Sequence, residues 1–348
     1  MPLEIGGRTI GRPHPTFVIA EIGLNHGGRV ADALALVDAA AAAGASAVKL
    51  QTLYADSLVA PGCPAPAHVS ASSLREFFQT FELGAREHRA VVERARSHGL
   101  AVMSTPFSEG VLPMLEALDL DAYKIASGDL TNDGLISAAA RTGRPLIIST
   151  GMSDLTEVLR AVTVARHAGV THLALLHCVS AYPTPVDSQN LSVIATLAQA
   201  TGLPVGLSDH GPGLFSAVAA AALGACIYER HLVTAGDEDA IDRAVSSTPA
   251  EFQAIVDALA QTRAALGDGI KRCLPAESAN QVPSRRGLYA ARPLRAGDVV
   301  GLDDVAVLRP ASELPPSHRE VLIGYTVTRD IAAGEPFVAA DLAVVEPA

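Results

Sequence analysis

Two histidines, His210 and His231, close two short apolar runs, VGLSDH (205–210) and CIYERH (226–231). An alanine-rich helical stretch, residues 214–223, separates them. Strand, helix, strand in that order makes a right-handed β-α-β unit with parallel neighbours, so both imidazoles can reach one point beyond the carboxyl ends. Two imidazoles without a thiolate suit a divalent ion that keeps positions open for water and substrate, which is a catalytic arrangement. The plain alternative is a hydrogen-bonded strand-end histidine beside a core one. Ser208, Asp209 and Glu229 alongside favour the metal.

Lys49 and Lys124 end two other apolar runs, AVKLQ and AYKIA. Lysine is rarely buried without a partner. With Thr105, Ser127, Ser149 and Ser208 near, the two would form a pocket for phosphate or carboxylate. Each could instead be held in a salt bridge to Glu21 or Glu229. Ser127-Gly-Asp and Ser149-Thr-Gly could add backbone N–H donors to a phosphate. Residues 151–157 read as a helix start with a capping box and carry no chemistry. Tyr182 follows in a stiff Tyr-Pro-Thr-Pro loop that could present it to a ligand. Cys178 has no activating base and is not read as a nucleophile.

Eight strand-like runs must position these groups: residues 16–22, 47–51, 101–105, 122–126, 145–149, 173–177, 204–207 and 226–228. Helical stretches alternate with them, among them 31–43, most of 77–98, an amphipathic stretch on Leu155, Val158, Leu159 and Val162, and a closing one on Phe252, Ile255, Val256 and Leu259. This is the pattern of a (β/α)₈ TIM barrel, in the α/β class. Glu21, Lys49, Gln51, Ser104, Thr105, Lys124, Ser127, Ser149, Thr150, His177, Ser208, Asp209, His210, Glu229 and His231 all fall at or just past a strand's carboxyl end, where that fold puts chemistry. A doubly wound open sheet is the competing fold, but no Gly-x-Gly-x-x-Gly follows the first strand. A Pro-rich excursion, residues 60–69, is expected to loop over the mouth.

Periodicity stops between residues 267 and 284. Beyond it two 18-residue stretches, 291–308 and 328–345, align without a gap and share Arg292/Arg329, Ala296/Ala333, Gly297/Gly334, Asp304/Asp341, Ala306/Ala343 and Val307/Val344. Each Ala-Gly before an acidic residue signals a turn between short strands. The division expected is a barrel over 1–270, a linker over 271–284 and a small β-rich domain over 285–348. That last piece is near the lower size limit for folding alone.

The formal net charge of −11 argues against nucleic acid or an anionic membrane as partner. A local cationic pocket for a small anion is still compatible with it. Four scattered cysteines without Cys-x-x-Cys indicate reduced thiols. The first residues lack signal-peptide character, and the longest greasy run, residues 215–228, is too short to span a bilayer. A cytoplasmic location is expected.

Ten blocks resemble the sialic acid synthase (N-acetylneuraminate synthase) family: AEIGLNHGG (20–28), VKLQT (48–52), STPF (104–107), YKIASGDL (123–130), STGM (149–152), LHCVSAYPTP (176–185), GLSDH (206–210), YERH (228–231), RRGLYA (285–290) and VLRP (307–310). They run in order along nearly the whole chain, and the tail resembles the antifreeze-like (SAF, β-clip) domain of that family. The resemblance implies condensation of phosphoenolpyruvate with N-acetylmannosamine or a related amino-sugar. It implies Mn²⁺ or Mg²⁺ on His210 and His231, and phosphoenolpyruvate held by Lys49, Thr105, Lys124, Ser127, Ser149 and Ser208. Glu21 would transfer the proton, and Gln51, Tyr182 and Asp242 would contact the sugar. It also implies a domain-swapped homodimer in which Arg309 of the Arg-Pro motif reaches the partner's site.

Three departures fall on the sugar side. Ala240-Ile241 precede Asp242 where the family has Gly-Pro. Ala311-Ser312-Glu313 follow Arg309-Pro310 in place of Gly-x-Gly, adding a carboxylate. Ser180-Ala181 replace an asparagine. The reaction class is therefore expected to hold, with the acceptor open between N-acetylmannosamine and the sugars of legionaminate, pseudaminate or spore-coat synthases. A non-catalytic sugar-binding barrel is the rival of another class.

Overall fold

The structure, a computed structural model, describes residues 3–11, 13–65, 71–234, 236–237 and 239–344. The far end of the Pro-rich excursion and Val345, the last residue of the second repeat, lie outside the described residues. Two compact units divide the chain, Met1–Gly267 and Asp268–Ala348.

The first unit opens with an antiparallel hairpin, β1 (Leu3–Ile5) and β2 (Arg8–Ile10). Eight parallel strands follow: β3 (Phe17–Gly23), β4 (Ala47–Thr52), β5 (Ala101–Pro106), β6 (Ala122–Ile125), β7 (Leu146–Ser149), β8 (Leu173–Cys178), β9 (Val205–Asp209) and β10 (Ile227–Leu232). Each pairs with the next, and β10 pairs with both β9 and β3. The sheet is therefore closed, and the fold is the TIM barrel expected from the alternating runs rather than an open sheet.

Side chains alternate along each strand, and this alternation makes the site. On β4 Val48 and Leu50 point outward into the core shared with the surrounding helices, while Ala47 points into the barrel. Inward residues at the strand starts, among them Ile19, Ala47, Met103, Ala122 and Ala174, form an apolar floor. Leu3, Ile5 and Ile10 of the hairpin join that floor, each fully buried. Burial of such side chains stabilises by about 2 kcal/mol apiece. The hairpin stops the amino end, and the cavity lies at the carboxyl end. The sequence reading assigned this segment no structure.

Two other stretches differ from expectation. Residues 77–98 form two helices, Leu74–Gln79 and Ala85–Ser97, because Glu82 is drawn away to accept from the Ala55 N–H at 2.7 Å and Gly84 begins the second. The aperiodic stretch before the tail contains a helix, Pro275–Ser284, with no buried residue. A fully exposed helix shows no apolar period. Its start is fixed by Glu277, which accepts from the Leu274 N–H at 2.9 Å. The capping box expected near residue 154 is present, with Asp154 and Glu157 bonded reciprocally.

A short strand of the first unit, β11 (Ser246–Ser247), lies parallel beside β10. In the second unit β12 (Gly287–Ala290) pairs antiparallel with β13 (Val305–Leu308), and β14 (Thr326–Val327) with β15 (Leu342–Ala343). The sequence repeat is a structural one. Arg292 pairs with Asp304 at 2.6 Å and Arg329 with Asp341 at 2.6 Å, twelve residues apart in each copy. Leu294 and Ile331 exchange both backbone hydrogen bonds at the junction. The turn glycines Gly297 and Gly334 take φ of 93° and 79°.

Candidate active site

The inward residues of the upper layer are polar, and the strand register brings them level. Glu21 stands opposite Lys49 on one side and His231 on the other, Gln51 opposite Thr105, and Ser208 opposite Glu229. They line one cavity of about 450 Å³ at the carboxyl end of the barrel.

Lys49 and Lys124 are both buried, and both expected partners hold them. Lys49 is ion-paired with Glu21, lies 3.8 Å from Glu229 and donates to Thr105 at 3.2 Å. Lys124 lies 3.4 Å from Glu229, which also accepts from Ser208 at 2.8 Å. Burial pulls the Lys49 ammonium down to about 7, opposed by Glu229 and assisted by Lys124. Burial works to raise Glu229, but Lys124, Lys49 and the Ser208 hydroxyl outweigh it and hold the carboxyl below its ordinary range. Ser149 Oγ, buried in the same cavity, has no hydrogen-bond partner. Ser127 Oγ accepts from the Gly151 N–H at 3.0 Å, which ties the turns after β6 and β7 together.

His210 and His231 sit side by side with ring centroids 5.6 Å apart. His210 Nδ1 faces the Val179 carbonyl at 3.2 Å, which leaves Nε2 for a ligand. Burial, then His231, pull its pKa down to about 3, so the ring is neutral and able to ligate. His231 Nδ1 is buried and lacks an aligned hydrogen bond, though Asp242 Oδ2 lies 3.2 Å away. Asn25 holds Asp242 in place: its Oδ1 accepts from the Asp242 N–H, and its Nδ2 donates to Ser246 and to the Leu232 carbonyl. The Tyr182 ring lies over His210 with centroids 4.2 Å apart.

Among the described residues no three His, Cys, Asp or Glu side chains are arranged to hold a metal ion. The donor set offers two imidazoles, so a divalent ion there would complete its shell from substrate and water. The charges also fit such an ion. Two ammonium groups face three carboxylates, Glu21, Glu229 and Asp242, and an added dication would make the cavity attractive to an anion.

Glu21, Lys49, Gln51, Thr105, Lys124, Ser127, Ser149, Tyr182, Ser208, His210, His231 and Asp242 all line this cavity. Arg309 is an exposed residue of the second unit. Four strand-end residues turn away from the cavity instead. Ser104 bonds Thr52 at 2.6 Å, Thr150 the Leu176 carbonyl at 3.0 Å, and His177 the Gln189 carbonyl at 2.8 Å. Asp209 accepts from Tyr228 at 2.7 Å and from the Gly211 N–H at 2.8 Å. Glu313, the extra carboxylate of the tail motif, accepts from the Ala339 N–H at 3.2 Å. Phe107 and Met152 also line the cavity without having been singled out as site residues. Ser180, one of the departures expected on the sugar side, lines it too, and Asn25 was missed as the support of Asp242. Cys178 lines it as well, with its thiol pushed up by burial, as a non-nucleophile should be. Gly23, at φ 47°, has to be glycine: a Cβ would stand 3.3 Å from side-chain atoms of Glu21, Gln51 and Asp242.

The NeuB family profile matches residues 36–271, about two thirds of the chain. The chain belongs to the NeuB family. A SAF domain follows at residues 285–343. The N,N'-diacetyllegionaminic acid synthase of Legionella pneumophila is 35% identical over 327 residues, covering 91% of this chain and 92% of that one. The spore coat polysaccharide biosynthesis protein SpsE of Bacillus subtilis is 33% identical over 360 residues, covering 97% and 96%. Among solved structures, the N-acetylneuraminic acid synthetase of Leptospira borgpetersenii, in complex with citrate, superposes with a TM-score of 0.73 at 32% identity, covering 80% of this chain and 95% of that one. The NeuB barrel here thus shares sequence with proteins named as synthases of several different sugar acids.

Proposed function

We propose that this NeuB-family protein condenses phosphoenolpyruvate with N-acetylmannosamine, or a related amino-sugar, and water to give a nonulosonic acid and phosphate. The observation that carries this reading is the meeting of two buried lysines, bridged by Glu229, with a neighbouring histidine pair in one cavity.

Lys49, Lys124, Thr105, Ser127, Ser149 and Ser208 hold phosphoenolpyruvate, and the unpartnered Ser149 hydroxyl is free to donate to it. Gln51, Tyr182 and Asp242 hold the open-chain sugar. His210 and His231 would hold Mn²⁺ or Mg²⁺, which would supply Lewis-acid chemistry at the sugar carbonyl. C3 of the enol phosphate forms the new bond to the aldehyde carbon, and the cation developing at C2 is met by the Glu21 carboxylate. Water adds at C2 and gives up one proton to Glu21, which passes it to the oxygen of the former aldehyde to make the new hydroxyl. The hydroxyl left at C2 becomes the ketone as the C2–O bond breaks and phosphate leaves with its proton. Glu21 is set for this by the Gly23 N–H, 2.6 Å from Oε1. Arg309, supplied by the partner of a domain-swapped homodimer, closes the sugar side. The cytoplasm, where phosphoenolpyruvate is made, is the proposed location.

The second reading keeps the reaction and changes the acceptor to that of a legionaminate-, pseudaminate- or spore-coat-type synthase. The presence of Ser180, one of the three departures, in the cavity wall favours it. Phosphate release over a panel of amino-sugars, with phosphoenolpyruvate and Mn²⁺, tests both. N-acetylmannosamine weaker than every other sugar would select the second reading. Binding of phosphoenolpyruvate without turnover of any sugar would select the non-catalytic barrel.

A further inference from the structure

A second cavity, of about 350 Å³, opens beside the first and shares two wall residues with it, Gln51 and Phe107. Its lining is otherwise apolar, with Leu58, Cys63, Leu74 and Phe78 half-buried and facing it. The wall is held without a guest. Arg75 is ion-paired to Asp56 at 2.9 Å and donates to the Val59 carbonyl at 2.8 Å, which fixes the helices Ala55–Leu58 and Leu74–Gln79 against each other. The Leu74 N–H also donates to the Cys63 carbonyl at 3.1 Å. A preformed apolar pocket that shares a wall with a polar catalytic cavity can take the apolar appendage of a ligand whose polar body sits in the cavity.

Gln51 stands at the junction. Its amide offers both a donor and an acceptor, which complements the C=O and N–H of a second amide. We propose that this side pocket takes the acyl end of the acceptor sugar's acylamino group, and that it is shaped for a chain longer than acetyl. An acetyl methyl would leave most of the space unfilled, and its apolar walls wet. The inference rests on the synthase reading and names the substrate class of the same site.

The test is a steady-state series at saturating phosphoenolpyruvate and Mn²⁺ with N-acetyl-, N-propanoyl- and N-butanoylmannosamine, read as phosphate release. Seating a methylene in an apolar pocket is worth about fourfold. The gain falls in KM, because the acyl tail binds alike in ground and transition states. From acetyl to butanoyl, two methylenes longer, kcat/KM is therefore expected to rise about sixteenfold. In Cys63→Phe, which fills the pocket, the butanoyl-to-acetyl ratio should fall to about one. A flat or falling series in the unaltered protein, with N-acetylmannosamine still turned over, overturns this inference alone. So does a rising series that Cys63→Phe leaves intact, since the chain then lies elsewhere. No phosphate from any of the three sugars overturns this inference, and it counts against the synthase reading as well when the wider amino-sugar panel is equally silent.

Discussion

Lys124 stands 3.4 Å from Glu229 across the barrel, and neither side chain is more than 6% exposed. The same carboxylate is the meeting point of Lys49 and Ser208, so it positions both ammonium groups that face the cavity.

Lys124→Met should break this arrangement in two measurable ways. A buried carboxylate that loses a partner costs about 3 kcal/mol of stability, seen in urea unfolding. The kcat/KM for phosphoenolpyruvate should fall at least about a hundredfold, with a smaller effect on the KM for sugar. An unchanged phosphoenolpyruvate affinity would remove Lys124 from the anion cradle.

Lys49 predicts a pH dependence. Burial lowers its pKa to about 7, so above pH 7 the free site holds a growing share of neutral amine. An arriving phosphate favours the ammonium, so binding must take up a proton there, and affinity must fall as pH rises from about 7 to 9. Below about pH 6 the amine is already charged and contributes no further change. Calorimetric titration at pH 8 in buffers of different ionisation enthalpy should show uptake approaching one proton. No uptake would mean that Lys49 is charged throughout.

The barrel was legible because each strand is a short apolar run ending in polar residues. What composition does not show is which of two adjacent polar residues faces in. Ser208 and Asp209 are both polar and both at the end of β9, yet one lines the cavity and the other bonds Tyr228. Alternation settles it once an inward neighbour is known: on β10, Glu229 and His231 face in and Arg230, between them, faces out toward Ser247. The amino-terminal hairpin escaped notice because two three-residue strands carry almost no periodic signal. Asn25 escaped because its work is done at Asp242, more than two hundred residues away in sequence.

Gly206 is a packing prediction. A Cβ there would stand 2.3 Å from the Ile227 carbonyl oxygen and 2.7 Å from Leu176, in the barrel interior where backbone cannot yield. Gly206→Ala should destabilise by about 3 kcal/mol, checked by urea unfolding. A native-like midpoint would show that β9 and β10 can separate without cost.

Arg309→Ala should impair use of the sugar more than of phosphoenolpyruvate. Mixed with Lys124→Met subunits, it should regain activity that neither variant shows alone, because one site in the hybrid then has both groups. No recovery in a verified hybrid would show that the arginine does not serve the partner's site.

In the proposed reaction this cavity joins an enol phosphate to a sugar aldehyde and releases phosphate by breaking the bond to carbon. Phosphoenolpyruvate labelled with ¹⁸O at its bridging oxygen, incubated with the amino-sugar and Mn²⁺, reads that bond directly by mass spectrometry. The label should leave entirely with the inorganic phosphate. Label retained in the sugar acid, or no phosphate formed with any amino-sugar, would contradict it.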